Sequence, residues 1–213
     1  MLQSITKYGL FALAAGIVGL GASSAQAGTV SFAKPAGSST AYSYNFTGDD
    51  GVGFTATATT DTDPEKLHWD NSGLGVKSGW LDVNQIDMLG DDEILYLTFD
   101  KPVVLDWITF SHVGCNFLTG GKDEYILLIN GTNVAEGSIP GATILDNGVG
   151  TVYYDDFGAI TQIGLTVPDL NDGYKVKAMG YHAVPLPPAA WAALGTMGLI
   201  ALPRAVRKLR ELA

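Results

Sequence analysis

Short alternations of apolar and polar residues, interrupted by glycine, asparagine and aspartate, fill residues 28–183 and leave few folds open to them. A side-chain period of two is that of a β-strand with one buried face, and no segment of this body keeps the 3.6-residue period of a helix. The pattern therefore predicts an all-β body, a jelly-roll-like β-sandwich of nine or ten short strands. The predicted strands are 42–46, 52–59, 94–99, 103–113, 125–129, 133–139, 151–155, 160–167 and 174–184, with Lys101-Pro102 at a turn.

Two further features of the body follow from the same pattern. Asn130-Gly131 lies between two predicted strands, and this dipeptide is a strong signal for a tight hairpin. Alternation also assigns one face of each strand to the interior. The predicted core residues are Phe54, Leu95, Leu97, Phe99, Trp107, Ile126, Leu128, Ile163 and Leu165.

The first 27 residues have the three parts of an export signal. Lys7 gives a positive start, residues 8–20 are apolar or glycine, and Ala25-Gln26-Ala27 is an A-x-A cleavage site. The apolar stretch of 13 residues is shorter than a membrane span needs. We therefore predict a signal helix in residues 1–27, passage through the Sec machinery, and cleavage by signal peptidase after Ala27.

The chain ends in an uncharged segment followed by a basic cluster. Residues 178–203 carry no formal charge, and three prolines delay any helix until about Ala189. The basic residues that follow belong in the cytoplasm, so the body lies on the other side of the inner membrane. A short span behind a proline motif favours a processing signal over a permanent anchor. The basic residues are Arg204, Arg207, Lys208 and Arg210.

The order of motif, apolar helix and basic tail in residues 184–213 resembles the VPLPA variant of the PEP-CTERM sorting domain. The motif here is Val184, Pro185, Leu186, Pro187, Pro188 and Ala189, with Pro188 standing where the family usually has alanine. The resemblance implies recognition by an exosortase, a membrane cysteine transpeptidase that removes the transmembrane helix and the tail. It also implies a Gram-negative source that makes exopolysaccharide, and a final location at the cell surface or outside the cell.

The net negative charge of the body limits the kinds of macromolecule that it can bind. The whole chain has a net charge of −10, and residues 28–183 hold 21 acidic side chains against seven lysines, a net charge of −14. Such a surface repels nucleic acid. The single cysteine excludes a disulfide framework and a multi-cysteine metal site.

The acidic residues admit two interpretations. Aspartate favours turns and keeps proteins soluble, so the clusters can be turn chemistry alone. Calcium, which takes six to eight oxygen ligands, is the alternative cofactor. The candidate calcium ligands lie in one predicted loop region and are Asp82, Asn84, Asp87, Asp92 and Glu93.

No catalytic motif is present in the sequence, so we expect a protein that is not an enzyme. His68, His112 and His182 form no zinc-binding pattern, and there is no nucleophile elbow, P-loop or dinucleotide fingerprint. Aromatic side chains beside aspartate and asparagine suit sugars. The candidate aromatic residues are Trp69, Trp80, Tyr96, Tyr153, Tyr154 and Tyr174.

Three functions therefore stay open. The first is an exported, non-catalytic surface or extracellular-matrix protein, sorted by an exosortase and associated with exopolysaccharide or biofilm. The second is a calcium-dependent carbohydrate-binding module, and the third is a secreted hydrolase.

Overall fold

The computed structural model describes residues 26–60, 63–79, 84–88, 92–114, 121–145, 147–155 and 157–184. These residues are all β: they contain strands, turns and loops, and no helix. The described strands belong to one compact unit, Gln26–Val184, which includes the predicted body of residues 28–183. The predicted signal helix and transmembrane helix lie outside the described residues. No helix long and apolar enough to cross a membrane occurs in the described part.

Thirteen strands make up the described unit. They are β1 (Ala27–Ser31), β2 (Ser39–Ala41), β3 (Ser43–Thr47), β4 (Gly53–Thr60), β5 (Asp63–Trp69), β6 (Leu74–Lys77), β7 (Ile86–Asp87), β8 (Glu93–Val113), β9 (Glu124–Ile129), β10 (Thr132–Ser138), β11 (Gly148–Tyr153), β12 (Ile160–Thr166) and β13 (Gly173–Ala183).

Strand β8 runs through the whole unit and has a different pair of neighbours in each half. Its first half pairs with β4 and β12, and its second half pairs with β13 and β11, always antiparallel. The predicted turn at Lys101-Pro102 is wrong, because the strand continues through both residues. Pro102 has no N–H to donate, and the pairing with β4 ends at Phe99 before the pairing with β13 begins at Val103. The proline therefore marks the change of neighbours and not the end of the strand.

The other strands extend these two halves. The first half continues from β4 to β3 and β5 and from β12 to β9 and β10, while β6 joins β5 to β13. The second half continues from β13 to β1. Strands β1, β2, β5, β6 and β7 are additions to the predicted set. In β5 only Leu67 is buried, so this strand offers no alternation that the sequence could reveal.

Two bulges in β8 change which residues face the interior. Gly180 and Tyr181 of β13 pair with Trp107 and Leu105, so Asp106 is an extra residue on β8. A second extra residue, His112, has a φ of 56°. Because of the first bulge, the inward positions pass from Leu105 to Ile108, and Trp107 faces outward.

Six of the nine predicted core residues are buried in the structure, and the other three are not. Phe54, Leu95, Leu97, Phe99, Ile163 and Leu165 are buried as expected. Trp107 is only half-buried, for the reason just given. Ile126 and Leu128 are also half-buried, whereas Tyr125 and Leu127 point into the core. Strand β9 is apolar on both faces, so alternation could not choose between them.

The hairpin predicted at Asn130-Gly131 is confirmed. Ile129 of β9 pairs with Thr132 of β10, which leaves a two-residue loop. Asn130 has a φ of 50° and Gly131 a φ of 77°, the left-handed values that a type I′ turn requires at both positions.

Replacing Gly131 with alanine tests this turn. We expect Gly131→Ala to lower the free energy of unfolding by about 1–2 kcal/mol, because a Cβ disfavours the left-handed conformation. Gly79→Ala is the matched control, since a Cβ at Gly79 meets no atom and its backbone is not left-handed. Urea denaturation of both variants measures the difference, and equal losses of stability would contradict the turn assignment.

Candidate functional site

The predicted calcium ligands do not form one cluster in the described residues. Asp87 and Glu93 are buried, and the backbone N–H of Asp87 donates to Oε2 of Glu93 over 3.2 Å. The Lys77 ammonium donates to Oδ1 of Asn84 over 3.1 Å, so a cation of the protein already uses that oxygen. Asp92 is exposed, and Asp82 lies outside the described residues.

In the part of the chain that the structure describes, no three His, Cys, Asp or Glu side chains are grouped closely enough to hold a metal ion. Calcium binding by the five predicted residues stays a prediction, because Asp82 is not among the described residues.

A second acidic group surrounds Asp172, at the start of β13. Asp172 is only 7% exposed, and its Oδ1 accepts the backbone N–H of Glu124 over 3.0 Å. Burial, together with the nearby charges of Asp169, Asp123 and Glu124, raises the pKa of Asp172 to about 7. This carboxyl group therefore holds its proton much more firmly than an ordinary aspartate.

The histidines take part in local polar networks. Nε2 of His68 lies 3.4 Å from Oδ2 of Asp70, and Nδ1 lies 3.4 Å from Oγ1 of Thr40. The same Asp70 oxygen lies 2.7 Å from the ammonium of Lys175, which is buried. Burial of the imidazole, with the neighbouring Lys175, lowers the pKa of His68. Asp70 therefore pairs with the buried ammonium of Lys175 and also lies beside the imidazole of His68.

Most of the predicted aromatic candidates are held inside the fold. Trp69 packs edge-on against Tyr44 and Phe46, and its indole N–H donates to the carbonyl of Phe32. Tyr174 is fully buried, and its hydroxyl donates to the carbonyl of Thr166. Tyr154 packs against Tyr125 and Phe157, and Tyr96 is half-buried. Trp80 lies outside the described residues.

Tyr153 is different, because it is 76% exposed at the end of β11. Its partner across the strands is Trp107 of β8, the next partner is Gly180 of β13, and the last is Thr29 of β1. These residues form a row across the outer surface of the four strands, while Ile108, Met179 and Val30 point to the core. Three strand spacings make the row about 14 Å long.

The side chain of Trp107 occupies the space over Gly180. A Cβ at residue 180 would overlap Nε1 and Cε2 of the indole, so only glycine leaves room for the ring there. No local sequence pattern indicates this placement, since the alternation along β8 assigns Trp107 to the core and only the bulge at Asp106 turns it outward.

Polar groups surround the aromatic row. In the neighbouring row, Oγ1 of Thr109 and Oγ1 of Thr151 lie 2.8 Å apart. Beside Trp107, Nδ1 of His182 lies 3.0 Å from Oδ1 of Asp106, and both side chains are more than a third exposed. We call the surface formed by Trp107, Tyr153, Gly180, Thr109, Thr151, Asp106 and His182 the Trp107 face.

The first and last strands of the unit pair with each other. Ala27 of β1 is opposite His182 of β13, and the N–H of Ala183 donates to the carbonyl of Gln26. Val184, the first residue of the predicted sorting motif, donates its N–H to the carbonyl of Pro102. Ala25, residues 185–189 and the basic residues at 204–210 lie outside the described residues.

Comparisons of the chain with protein-family models, with curated proteins and with solved structures found no match in any of the three.

The raised pKa of Asp172 predicts how stability depends on pH. Because the folded pKa of about 7 lies above the usual value of 3.8, the protonated carboxyl stabilises the fold at low pH, and this contribution is lost as the pH rises through about 7. Asp172→Asn keeps an oxygen for the Glu124 N–H and cannot ionise. We therefore expect the melting temperature of the variant, relative to the wild type, to be higher at about pH 8.5 than at about pH 5. A difference that stays constant across this range would contradict the prediction.

Proposed function

We propose that this chain is an exported, non-catalytic surface or extracellular-matrix protein, sorted by an exosortase, that associates with exopolysaccharide through the Trp107 face. The observation that carries the proposal is the pair formed by the half-buried Trp107 and the exposed Tyr153 on the outer surface of the sheet.

The chemistry of the Trp107 face suits a sugar. Sugar rings have apolar faces that pack on aromatic rings, and their hydroxyl groups need polar partners nearby. Trp107 and Tyr153 supply the aromatic surface, while Asp106 and His182 supply acceptors and donors next to it. A row of about 14 Å offers several sugar units a contact, which favours a polysaccharide over a monosaccharide.

Charge favours an uncharged polysaccharide. The body has a net charge of −14, and Asp106 and the exposed Asp155 lie close in sequence to the two aromatic residues. An anionic polymer would be repelled from such a surface at low and moderate salt.

The positions of the two ends of the described unit support export by the predicted N-terminal signal and sorting by the predicted C-terminal signal. Cleavage after Ala27 would leave residues 28–31 of β1 paired with β13. The predicted sorting motif begins at Val184, one residue after β13 ends. Because β1 and β13 are antiparallel partners, both signals join the body at the same end of one strand pair.

For the architecture, we propose a jelly-roll-like β-sandwich. The support is that β8 belongs to two groups of strands, with β4 and β12 beside its first half and β13 and β11 beside its second half. Buried side chains from both groups, such as Ile163 of β12 and Met179 of β13, belong to the same hydrophobic cluster.

Variants of the Trp107 face test the proposed glycan contact. We expect residues 26–184 to bind at least one of the neutral polysaccharides galactomannan and xyloglucan in affinity gel electrophoresis. Trp107→Ala and Tyr153→Ala should each weaken binding by about tenfold or more, because each removes an aromatic surface from the row. Gly180→Ala should weaken it too, since the added methyl group displaces the indole.

Tyr42→Ala is the matched control, because Tyr42 is 60% exposed and outside the Trp107 face. Alginate serves as the anionic comparison. Absence of binding to both neutral polymers, or an equal loss of binding in Tyr42→Ala, would overturn the proposal for this face.

Replacement of the motif prolines tests sorting. In cells that contain an exosortase, we expect Pro185→Ala combined with Pro187→Ala to accumulate as a membrane-bound precursor, because the extended backbone before the helix is lost. Immunoblots of membrane and culture fractions measure the ratio of precursor to processed protein. An unchanged ratio would show that these prolines are not part of a sorting signal, and substitution of Pro140 is the control.

A further inference from the structure

We propose that cleavage after Ala27 creates an α-ammonium group at Gly28 that pairs with Asp50 and locks β1 onto the rest of the fold. The inference rests on the proposed export function, which supplies the cleavage. It goes beyond that function, because it assigns a structural role to the new chain terminus.

Asp50 has one oxygen with a partner and one without. Its Oδ1 accepts the hydroxyl of Tyr181 over 2.9 Å and the N–H of Val52 over 3.0 Å. Its Oδ2 is buried and has no hydrogen-bond partner in the described part of the chain. A buried carboxylate oxygen without a donor is costly, so this atom indicates a missing positive or donating group.

Gly28 lies directly against that oxygen. A Cβ on Gly28 would stand 2.6 Å from Cγ and 2.7 Å from Oδ2 of Asp50, so the carboxylate occupies the place of a side chain at this residue. The glycine is therefore required for the close approach. The nitrogen of Gly28 is bonded to the Cα that this carboxylate approaches, and it becomes an ammonium group when the preceding peptide bond is hydrolysed.

The strand geometry leaves the new group with protons to donate. The N–H groups of a strand alternate in direction, and the N–H of Thr29 points away from β13 because it donates to Oδ1 of Asp49. The nitrogen of Gly28 therefore faces β13, where one proton can serve the ladder. An ammonium group has two further protons, whereas the amide of the uncleaved chain has none.

Hydrolysis also changes the local charge in a favourable direction. Water adds across the Ala27–Gly28 bond, the carboxylate leaves with Ala27, and the amine stays on Gly28 and takes up a proton. Asp49 and Asp50 then face a cation, in a body that otherwise has a net charge of −14. Asp49 already holds β1 through the N–H and the hydroxyl of Thr29, so the new pair would fasten the residue next to it.

The groups that face the new terminus define its pH dependence. They are Asp49 and Asp50 on the turn after β3, Tyr181 and His182 on β13, and Asp100 on β8, whose charge acts on Tyr181. A carboxylate partner raises the pKa of an amine above its usual value of about 8. The ion pair between the Gly28 ammonium group and Asp50 is therefore fully formed below that pH and is lost as the pH rises through the raised pKa.

The experiment compares chains that differ only at the first residue. Residues 28–184, released from a fusion so that they begin with a free Gly28 amine, are compared with residues 27–184. We expect the chain with the free Gly28 to melt higher by about 2–4 °C at neutral pH, the shift expected from one partly buried ion pair in a domain of this size. Acetylation of the Gly28 amine should remove the difference, and so should a pH above about 10.

Asp50→Asn is the key variant, because it keeps Oδ1 as acceptor for Tyr181 and Val52 and removes the charge. In this variant the two chains should melt at the same temperature, whereas in Asp155→Asn, on an exposed segment, the difference should stay. Equal melting temperatures for the two wild-type chains, or a difference that survives Asp50→Asn, would overturn the inference. Because all these proteins are purified, the result does not depend on whether signal peptidase cleaves at this bond in cells.

Discussion

Strand β8 has 21 residues and pairs with other strands on both of its edges. The described fold depends on this pairing. Each half of this strand holds two neighbours, and all the remaining strands are added to those neighbours directly or in sequence. The change of neighbours falls at Pro102, the one kind of residue that cannot donate to a ladder. The two bulges at Asp106 and His112 then adjust which side chains face inward. The pairing and the bulges of β8 thus determine which of its side chains enter the core, and they place Trp107 on the outer surface.

The sequence predicted those parts of the fold in which local chemistry agrees with the final packing. Leu95, Leu97 and Phe99 alternate with polar residues and are buried, and Asn130-Gly131 forms the hairpin that its conformational preference demands. Prediction failed where a long-range pairing decides the outcome. Trp107 faces outward because Asp106 is an extra residue on β8 in the pairing with β13. No local sequence pattern indicates this bulge. The sequence pattern does not predict strand β5 for a related reason. This strand forms by pairing with its neighbours and buries only one side chain, so it shows no apolar alternation.

Glycine explains how aromatic rings come to lie on the surface of these sheets. Trp107 occupies the space over Gly180, and Cε1 of Tyr96 lies 3.0 Å from where a Cβ of Gly164 would be. A side chain across a strand pair normally meets another side chain, and a glycine there lets a ring approach the backbone. The two positions differ in their surroundings. Leu128 also packs over Gly164, whereas Trp107 has the exposed Tyr153 as its other neighbour. The second arrangement places aromatic surface beside the polar groups of Asp106 and His182.

The same pair of strands connects the proposed glycan-binding surface with the two predicted processing positions. Strand β13 carries Gly180 in the Trp107 face, Tyr181 bonded to Asp50, and the connection to Val184. Strand β1 is its partner and begins at the predicted cleavage position. A terminus that stays uncleaved cannot supply the ammonium group to Asp50, so β1 is held less firmly and the edge of β13 beside it is less well covered. Since Trp107 is positioned by Gly180 on that strand, we propose that removal of the predicted export signal also stabilises the Trp107 face. The proposed ion pair would then give the body its full stability only after cleavage of the predicted export signal, when the body meets the proposed polysaccharide.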